Sequence, residues 1–346
     1  MATEIPVSDS IDEDKISKLS ISNDRRFMSP FVSVVVPAYN EEPVIEATFG
    51  RLKKVLDDLE FEYELIFVND GSKDGTLAKL RHIASEHSQV KVVDFSRNFG
   101  HQIAVTAGIE KASGDVVVLI DADLQDPPEL IRDFLDKWRE GYDVVYAVRA
   151  QRQGETWFKR WSASVFYRTL RRLTNVDIPL DTGDFRLMNR NVVDSLREIR
   201  ERHRFIRGLV AWVGYRQIGI PYVRSDRFAG ESKYPLSKMI RFSLDGITSF
   251  SYKPLQASTT LGFLGAAIGF VGILVILYLR LFTHLTIQGW TSLMVMVLFI
   301  GGIQLLMLGV LGEYIGRIYD EVRDRPLYLV KELLNFNDAE KDRRKQ

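Results

Sequence analysis

Two carboxylates spaced i, i+2, Asp121 and Asp123, close the run Val116-Val117-Val118-Leu119-Ile120 and lead into Leu124-Gln125-Asp126-Pro127-Pro128. Acidic oxygens at that spacing suit a hard divalent cation that also holds a substrate diphosphate. The bland alternative is a polar strand-to-helix turn in which Asp121 or Asp123 caps a helix opening near Glu129. A lone Asp-x-Asp recurs by chance, so its weight comes from its surroundings. The apolar, mostly β-branched run before it reads as a strand buried on both faces. Acidic groups just beyond the carboxyl end of such a strand sit where open α/β sheets bind ligands.

Other strands end in the same way. Val32 to Val36 runs into Pro37-Ala38-Tyr39-Asn40-Glu41-Glu42, and Leu65 to Asn69 into Asp70-Gly71-Ser72. Strands are also predicted at Val90 to Asp94 and Val144 to Ala147. Helices are predicted up to Val55, from Gly75 to Ser85, and from Gly100 to Lys111. This alternation predicts an α/β domain with a doubly wound, mostly parallel sheet. In such a sheet the three polar strand ends share one edge and can converge on one ligand. No Gly-x-Gly-x-x-Gly or Walker lysine motif opens any of the helices, so a dinucleotide or P-loop site lacks its anchor.

The 346 residues carry 46 basic and 46 acidic side chains, so no bulk field points to nucleic acid. Cysteine is absent, which removes disulfides, thiol nucleophiles and thiolate metal sites and fits a reducing compartment. The five histidines show no metal-ligand spacing, which speaks against zinc.

Hydropathy divides the chain in two. Leu255 to Leu279 carries no charge, and a second uncharged run from after Arg280 to before Glu313 is densest at Leu293 to Leu311. Each is long enough for a membrane span of ~20 residues, and two in tandem predict a hairpin. Gly262, Gly265 and Gly269 offer a small-residue packing face. Lys233, Lys238, Arg241 and Lys253 precede the hairpin and Arg317, Arg323, Arg325 and Lys331 follow it, which predicts both chain ends on the cytoplasmic side. The expected organisation is a disordered polar tail (1–30), the sheet domain (31–230), a juxtamembrane interfacial helix (231–254), two transmembrane helices (255–312) and a cytoplasmic tail (313–346).

As a set, Val34 to Glu42, Val68 to Thr76, Arg97-Asn98-Phe99-Gly100-His101 and Asp121 to Pro128 resemble the family 2 glycosyltransferases of GT-A fold. With Arg227-Phe228-Ala229-Gly230-Glu231-Ser232-Lys233-Tyr234 and the C-terminal spans, the chain resembles the polyprenyl-phosphate members, the bactoprenol glucosyltransferases and dolichol-phosphate mannose synthases. The resemblance covers about Pro30 to Val330. It implies that Pro37, Tyr39, Glu41, Asp121 and Ala122 line a nucleotide-sugar pocket, with Asp70 recognising the base. It implies that Asp121, Asp123 and Gln125 hold Mg²⁺ or Mn²⁺. Arg149, Arg160, Ser164, Arg227 and Lys233 match the positions that cradle an acceptor phosphate. Asp184, in Thr182-Gly183-Asp184-Phe185-Arg186, falls near a catalytic base of some relatives and could equally be a turn residue.

The implied reaction moves a hexose, with UDP-glucose the first choice of donor, onto undecaprenyl phosphate with inversion at the inner face of the cell membrane. A phosphate monoester has a second pKa of ~6, so such a nucleophile scarcely needs a base. A GDP-mannose enzyme is the nearer rival, and an inactive, membrane-anchored nucleotide-binding scaffold the more distant one. A homo-oligomer, with a tetramer as the guess, completes the expected partners.

Overall fold

The computed structural model describes residues 29–59, 61–149, 182–202, 204–223, 253–282 and 289–337. The expected tail (1–30) lies outside them apart from its last two residues, and the expected interfacial helix (231–254) apart from 253 and 254. An eight-stranded sheet forms from β1 (Val32–Ala38), β2 (Tyr63–Asn69), β3 (Val90–Phe95), β4 (Val116–Leu119), β5 (Val144–Arg149), β6 (Thr182–Asn189), β7 (Gln217–Tyr222) and β8 (Val330–Leu334), in the order β7-β5-β6-β4-β1-β2-β3-β8. β4, β1, β2 and β3 are mutually parallel, whereas β6 runs antiparallel between β4 and β5, and β8 runs antiparallel to β3.

All seven residues of β1 are buried, because helices cover both faces of the sheet. On one face Val32, Val34 and Val36 pack with α1 (Ile45–Asp57), α2 (Thr76–Glu86) and α4 (Leu130–Arg139), through Leu52, Leu80 and Phe134 among others. On the other face Val35, Val117 and Leu119 pack with α3 (His101–Lys111), α5 (Arg190–Glu198) and α6 (Ile206–Trp212), through Ala104, Val193 and Leu209. Each fully buried Val or Leu contributes roughly 1.5–3 kcal/mol. α3 lies close against β1 because its buried side is built from Ala104, Ala107 and Gly108. A Cβ on Gly108 would stand 2.1 Å from Val35 Cγ1, so that helix cannot carry a side chain there at this spacing.

Residues 313–337, within the expected cytoplasmic tail, carry the end of a helix and a strand. α7 (Lys253–Phe282) and α8 (Trp290–Val322) are long apolar helices, and α8 continues past Glu313 without a break. Glu313 is paired one turn on by Arg317 at 3.1 Å, so these charges do not stop the helix. Residues beyond α8 return to the sheet as β8. Arg81 pairs with Glu332 at 2.5 Å, and Asn335 Nδ2 donates to the carbonyls of Ala84 and Val90 at 2.7 and 2.8 Å. Tyr328 stacks on Phe95, with ring centroids 4.9 Å apart.

Phe299–Val322 is long and apolar enough to cross a membrane, and Ser258–Gly272 is a shorter apolar stretch. Phe263, Phe270, Leu305 and Leu308 on these helices are each more than half exposed. α7 approaches α8 where a Cβ on Gly262 would meet Met307 Cε at 3.8 Å.

Candidate active site

The carboxyl ends of β1, β2 and β4 lie side by side, in the order β4-β1-β2. Thus Tyr39, Asp70 and Asp121 do share one edge. The loops after β1 and β2 clasp each other. Asn40 N–H donates to Ser72 Oγ at 3.0 Å, Lys73 N–H to Asn40 Oδ1 at 2.8 Å, and Glu41 N–H to Thr76 Oγ1 at 2.9 Å. Pro37 is buried within β1, Tyr39 is exposed, and Glu41 is half-buried.

After β4 the chain turns sharply. Asp123 Oδ1 accepts the Gln125 N–H at 3.1 Å, and Leu124 adopts a φ of 58°, a left-handed conformation costly for such a side chain. Ala122 is anchored through its carbonyl, which accepts from Thr48 Oγ1 at 2.7 Å. Neither Asp121 nor Asp123 caps α4, whose N-cap Glu129 makes no side-chain capping bond. Two oxygens of this turn, Asp121 Oδ1 and Gln125 Oε1, are buried without a hydrogen-bond donor.

Asp70 acts on the next loop. Its Oδ1 accepts the Phe99 N–H at 2.6 Å, and its Oδ2 accepts the Gly100 N–H and Asn98 Nδ2, each at 2.9 Å. Both oxygens are turned to this loop, so the carboxylate implied to read a base here builds the start of α3. Burial still pushes the Asp70 acid above its usual range, against those two backbone hydrogen bonds. Gly71 permits the contact, since its φ is +64° and a Cβ would stand 2.4 Å from the Arg97 carbonyl carbon. The first residue of α3 is His101.

Three groups from different strands and helices then meet. His101 Nε2 donates to Asp184 Oδ2 at 2.9 Å and lies 3.7 Å from Asp121 Oδ1. His101, Asp121 and Asp184 each present a ligand atom within 4.8 Å of the others. Asp184 belongs to β6 rather than to a turn: Arg186 pairs with Leu119 of β4 and Tyr146 of β5, and Thr182 pairs with Val148 of β5. Arg207, from α6, donates to Asp184 Oδ1 at 2.7 Å.

Charge follows from this packing. Burial pushes the Asp121 acid up to about 6, with neighbouring Asp184, Asp126 and Asp123 adding to it against the pull of His101. Burial would raise Asp184 too, but the Arg207 charge and the hydrogen bonds from His101 and Arg207 hold it well below the usual carboxylate range. Burial lowers His101, and the Asp184 hydrogen bond with the charges of Asp121 and Asp184 more than offsets it, so the net shift is upward from the ordinary histidine value. Fully buried Arg186 donates to the Gly183 and Asp184 carbonyls at 3.1 and 3.3 Å, and burial lowers its pKa to about 10.

Two carboxylates and an imidazole form a donor set suited to Mg²⁺ or Mn²⁺, and the orphaned Gln125 carbonyl belongs to the same turn as Asp121. The expected set was Asp121, Asp123 and Gln125, and His101 and Asp184 lie beside Asp121. Among the other expected residues, Arg149 ends β5 on the same edge, while Arg160, Ser164, Arg227 and Lys233 lie outside the described residues. Arg207, Tyr222 and Arg186 were not singled out from sequence. The partners of Arg207 and Tyr222 are distant along the chain, so no local spacing marks them.

Residues 33–197 match the glycosyl transferase family 2 profile. The chain is 57% identical over 299 residues to the glycosyltransferase YkcC of Bacillus subtilis, itself uncharacterized, covering 86% of this chain and 93% of that one. It belongs to glycosyltransferase family 2. Within the family it is 42% identical over 301 residues to the SfII prophage-derived bactoprenol glucosyl transferase of Shigella flexneri, covering 87% of this chain and 97% of the relative. The glucosyl-3-phosphoglycerate synthase of Mycobacterium tuberculosis, solved with Mn²⁺, UDP-glucose and phosphoglyceric acid, aligns with a TM-score of 0.43 at 24% identity over 64% of this chain and 79% of that one. The mixed, mostly parallel sheet is of the GT-A type.

Proposed function

We propose that the protein transfers glucose from UDP-glucose to the phosphate of undecaprenyl phosphate, with inversion, at the cytoplasmic face of a membrane crossed by α7 and α8. One observation carries the reading. The match to the bactoprenol glucosyl transferase of Shigella flexneri covers 87% of this chain, too much to stop short of the apolar helices. A soluble acceptor gives no reason for those helices, whereas a phosphate on a polyprenyl tail does.

His101, Asp121 and Asp184 would hold Mg²⁺ or Mn²⁺, with Asp123 and Gln125 contributing from the same turn. Such a cation offsets phosphate–phosphate repulsion and stabilises the departing nucleoside diphosphate. Pro37, Tyr39, Glu41 and Ala122 line the donor, and Asp70 supports that pocket through residues 98–100. Asp184 anchors His101 instead of acting as a base, because a carboxylate kept this acidic accepts a proton poorly. The acceptor phosphate supplies its own charge, and Arg149 orients it by charge-assisted hydrogen bonds. Arg160, Ser164, Arg227 and Lys233 complete the cradle.

The test is to incubate the purified chain with undecaprenyl phosphate and a panel of nucleotide sugars, then identify the lipid product by mass spectrometry and its anomeric configuration by NMR. A β-linked glucosyl phospholipid formed from UDP-glucose is expected. A retained α-linkage, or a product from another donor only, would overturn the corresponding part of the reading.

A further inference from the structure

We infer that Tyr222 and Asp126 form a positioning pair for Arg149, holding its guanidinium at the sheet edge to receive the acceptor's phosphate; this rests on the transferase reading above. Arg149 and Tyr222 are the last residues of β5 and β7 and are paired in register. Asp126 follows the acidic turn after β4. Tyr222 Oη donates to Asp126 Oδ1, both residues being buried, and the Arg149 guanidinium on the adjacent strand position pulls the same phenol downward. A phenol has one proton and can accept as well as donate, so one hydroxyl can join a carboxylate to a guanidinium. Burial and the Asp126 hydrogen bond push the phenol up to about 12, so the proton stays in place at working pH.

The arrangement leaves Arg149 incomplete. Its Nε is buried with no hydrogen-bond partner, and its Nη2 lies where a Cβ on Gly183 would meet it at 3.5 Å. A buried guanidinium donor without an acceptor is costly unless a ligand supplies one. A phosphate oxygen matches that need, and the planar guanidinium can bind it by two parallel bonds only while its orientation is held. Tyr222 and Asp126 provide that hold from two other chain segments.

The test is calorimetric binding of farnesyl phosphate, and separately of UDP-glucose with Mn²⁺, to the detergent-solubilised full chain. Tyr222→Phe is expected to weaken farnesyl phosphate binding about tenfold while leaving UDP-glucose binding unchanged, and to add nothing further in an Arg149→Ala background. Equal weakening of both ligands, an unchanged farnesyl phosphate affinity, a fully additive double mutant, or no binding by the unmodified protein would each overturn the inference. Should Tyr222→Phe melt below the assay temperature, Arg149→Lys takes its place. That variant keeps the charge and loses the fork, so unchanged phosphate binding would contradict the inference. Binding of farnesyl phosphate without any sugar transfer would leave the positioning intact and overturn the transferase reading instead.

Discussion

His101 Nε2 lies 2.9 Å from Asp184 Oδ2, across 83 residues of chain. The contact joins the start of α3 to a strand inserted beside β4, and it brings an imidazole within 3.7 Å of Asp121. Arg207 holds the other Asp184 oxygen at 2.7 Å, so the carboxylate is fixed at both oxygens.

The two members of the pair should respond differently to substitution. His101 has a side chain 43% exposed, whereas that of Asp184 is 4% exposed. His101→Ala is expected to lower transfer roughly 10–100-fold with little change in melting temperature. Asp184→Asn should lower transfer and also destabilise by about 3–5 kcal/mol, because buried Arg186 and half-buried Arg207 lose their counter-charge. Thermal melts beside transfer rates check both, and an Asp184→Asn protein that melts like the unmodified one would contradict the assignment.

Divalent cation should stabilise the fold. Asp121 carries a buried oxygen that lacks a hydrogen bond, and Asp184 adds like charge beside it. Mn²⁺ at a hundredfold excess over its Kd is expected to add about 2.7 kcal/mol, seen as a raised Tm. Asp121→Asn should abolish that rise without lowering the Tm of the metal-free protein. A metal-induced shift that survives the substitution would place the cation elsewhere.

Gly71 is required by geometry. Its φ is +64°, and a methyl added there would stand 2.4 Å from the Arg97 carbonyl carbon, which leaves no room for alanine. Gly71→Ala should therefore destabilise by about 1–3 kcal/mol, and it should reduce transfer more than the stability loss explains, since the 98–100 loop presents His101. Equal melting temperature and activity would show that the turn adapts.

How far the sequence revealed this site depended on how local each signal was. β1, β2 and β4 were legible because continuous apolar runs ended in Tyr39, Asp70 and Asp121, and parallel pairing places such ends together. His101 directly follows the polar segment after β3, a fourth strand end on the same edge, and that position was the signal available for it. Its link to Asp184 was hidden because Thr182-Gly183-Asp184 reads as a turn until β6 is seen between β4 and β5. β8 was hidden for a related reason. Val330-Lys331-Glu332-Leu333-Leu334 lacks clean alternation and becomes a strand through pairing with β3.

A buried carboxylate far from the reaction fixes where β4 begins. Glu64 Oε1 accepts from Ser33 Oγ at 2.5 Å and from the Ser113 N–H at 2.7 Å, while its Oε2 lies 2.8 Å from Lys91 Nζ. Burial raises the Glu64 acid, but the hydrogen bonds of Lys91, Ser33 and Ser113 outweigh it and hold it below its ordinary 4.5. With the folded-state pKa depressed, its stabilisation is complete above about 4.5 and is lost as pH falls through the lower folded value. Glu64→Gln should therefore lower the Tm at neutral pH, and the gap from the unmodified protein should narrow in acid. A gap constant with pH would contradict this.

The most direct measurement is transfer of radiolabel from UDP-glucose into the organic phase by the purified full chain supplied with undecaprenyl phosphate and Mg²⁺ or Mn²⁺. The expected result is time-dependent labelling of the lipid that EDTA stops and Asp123→Ala abolishes, although that variant melts like the unmodified protein. Labelling that persists in EDTA, or normal activity of folded Asp123→Ala, would contradict a metal-dependent site at this turn. No labelling by folded, lipid-bound protein would contradict the transfer itself.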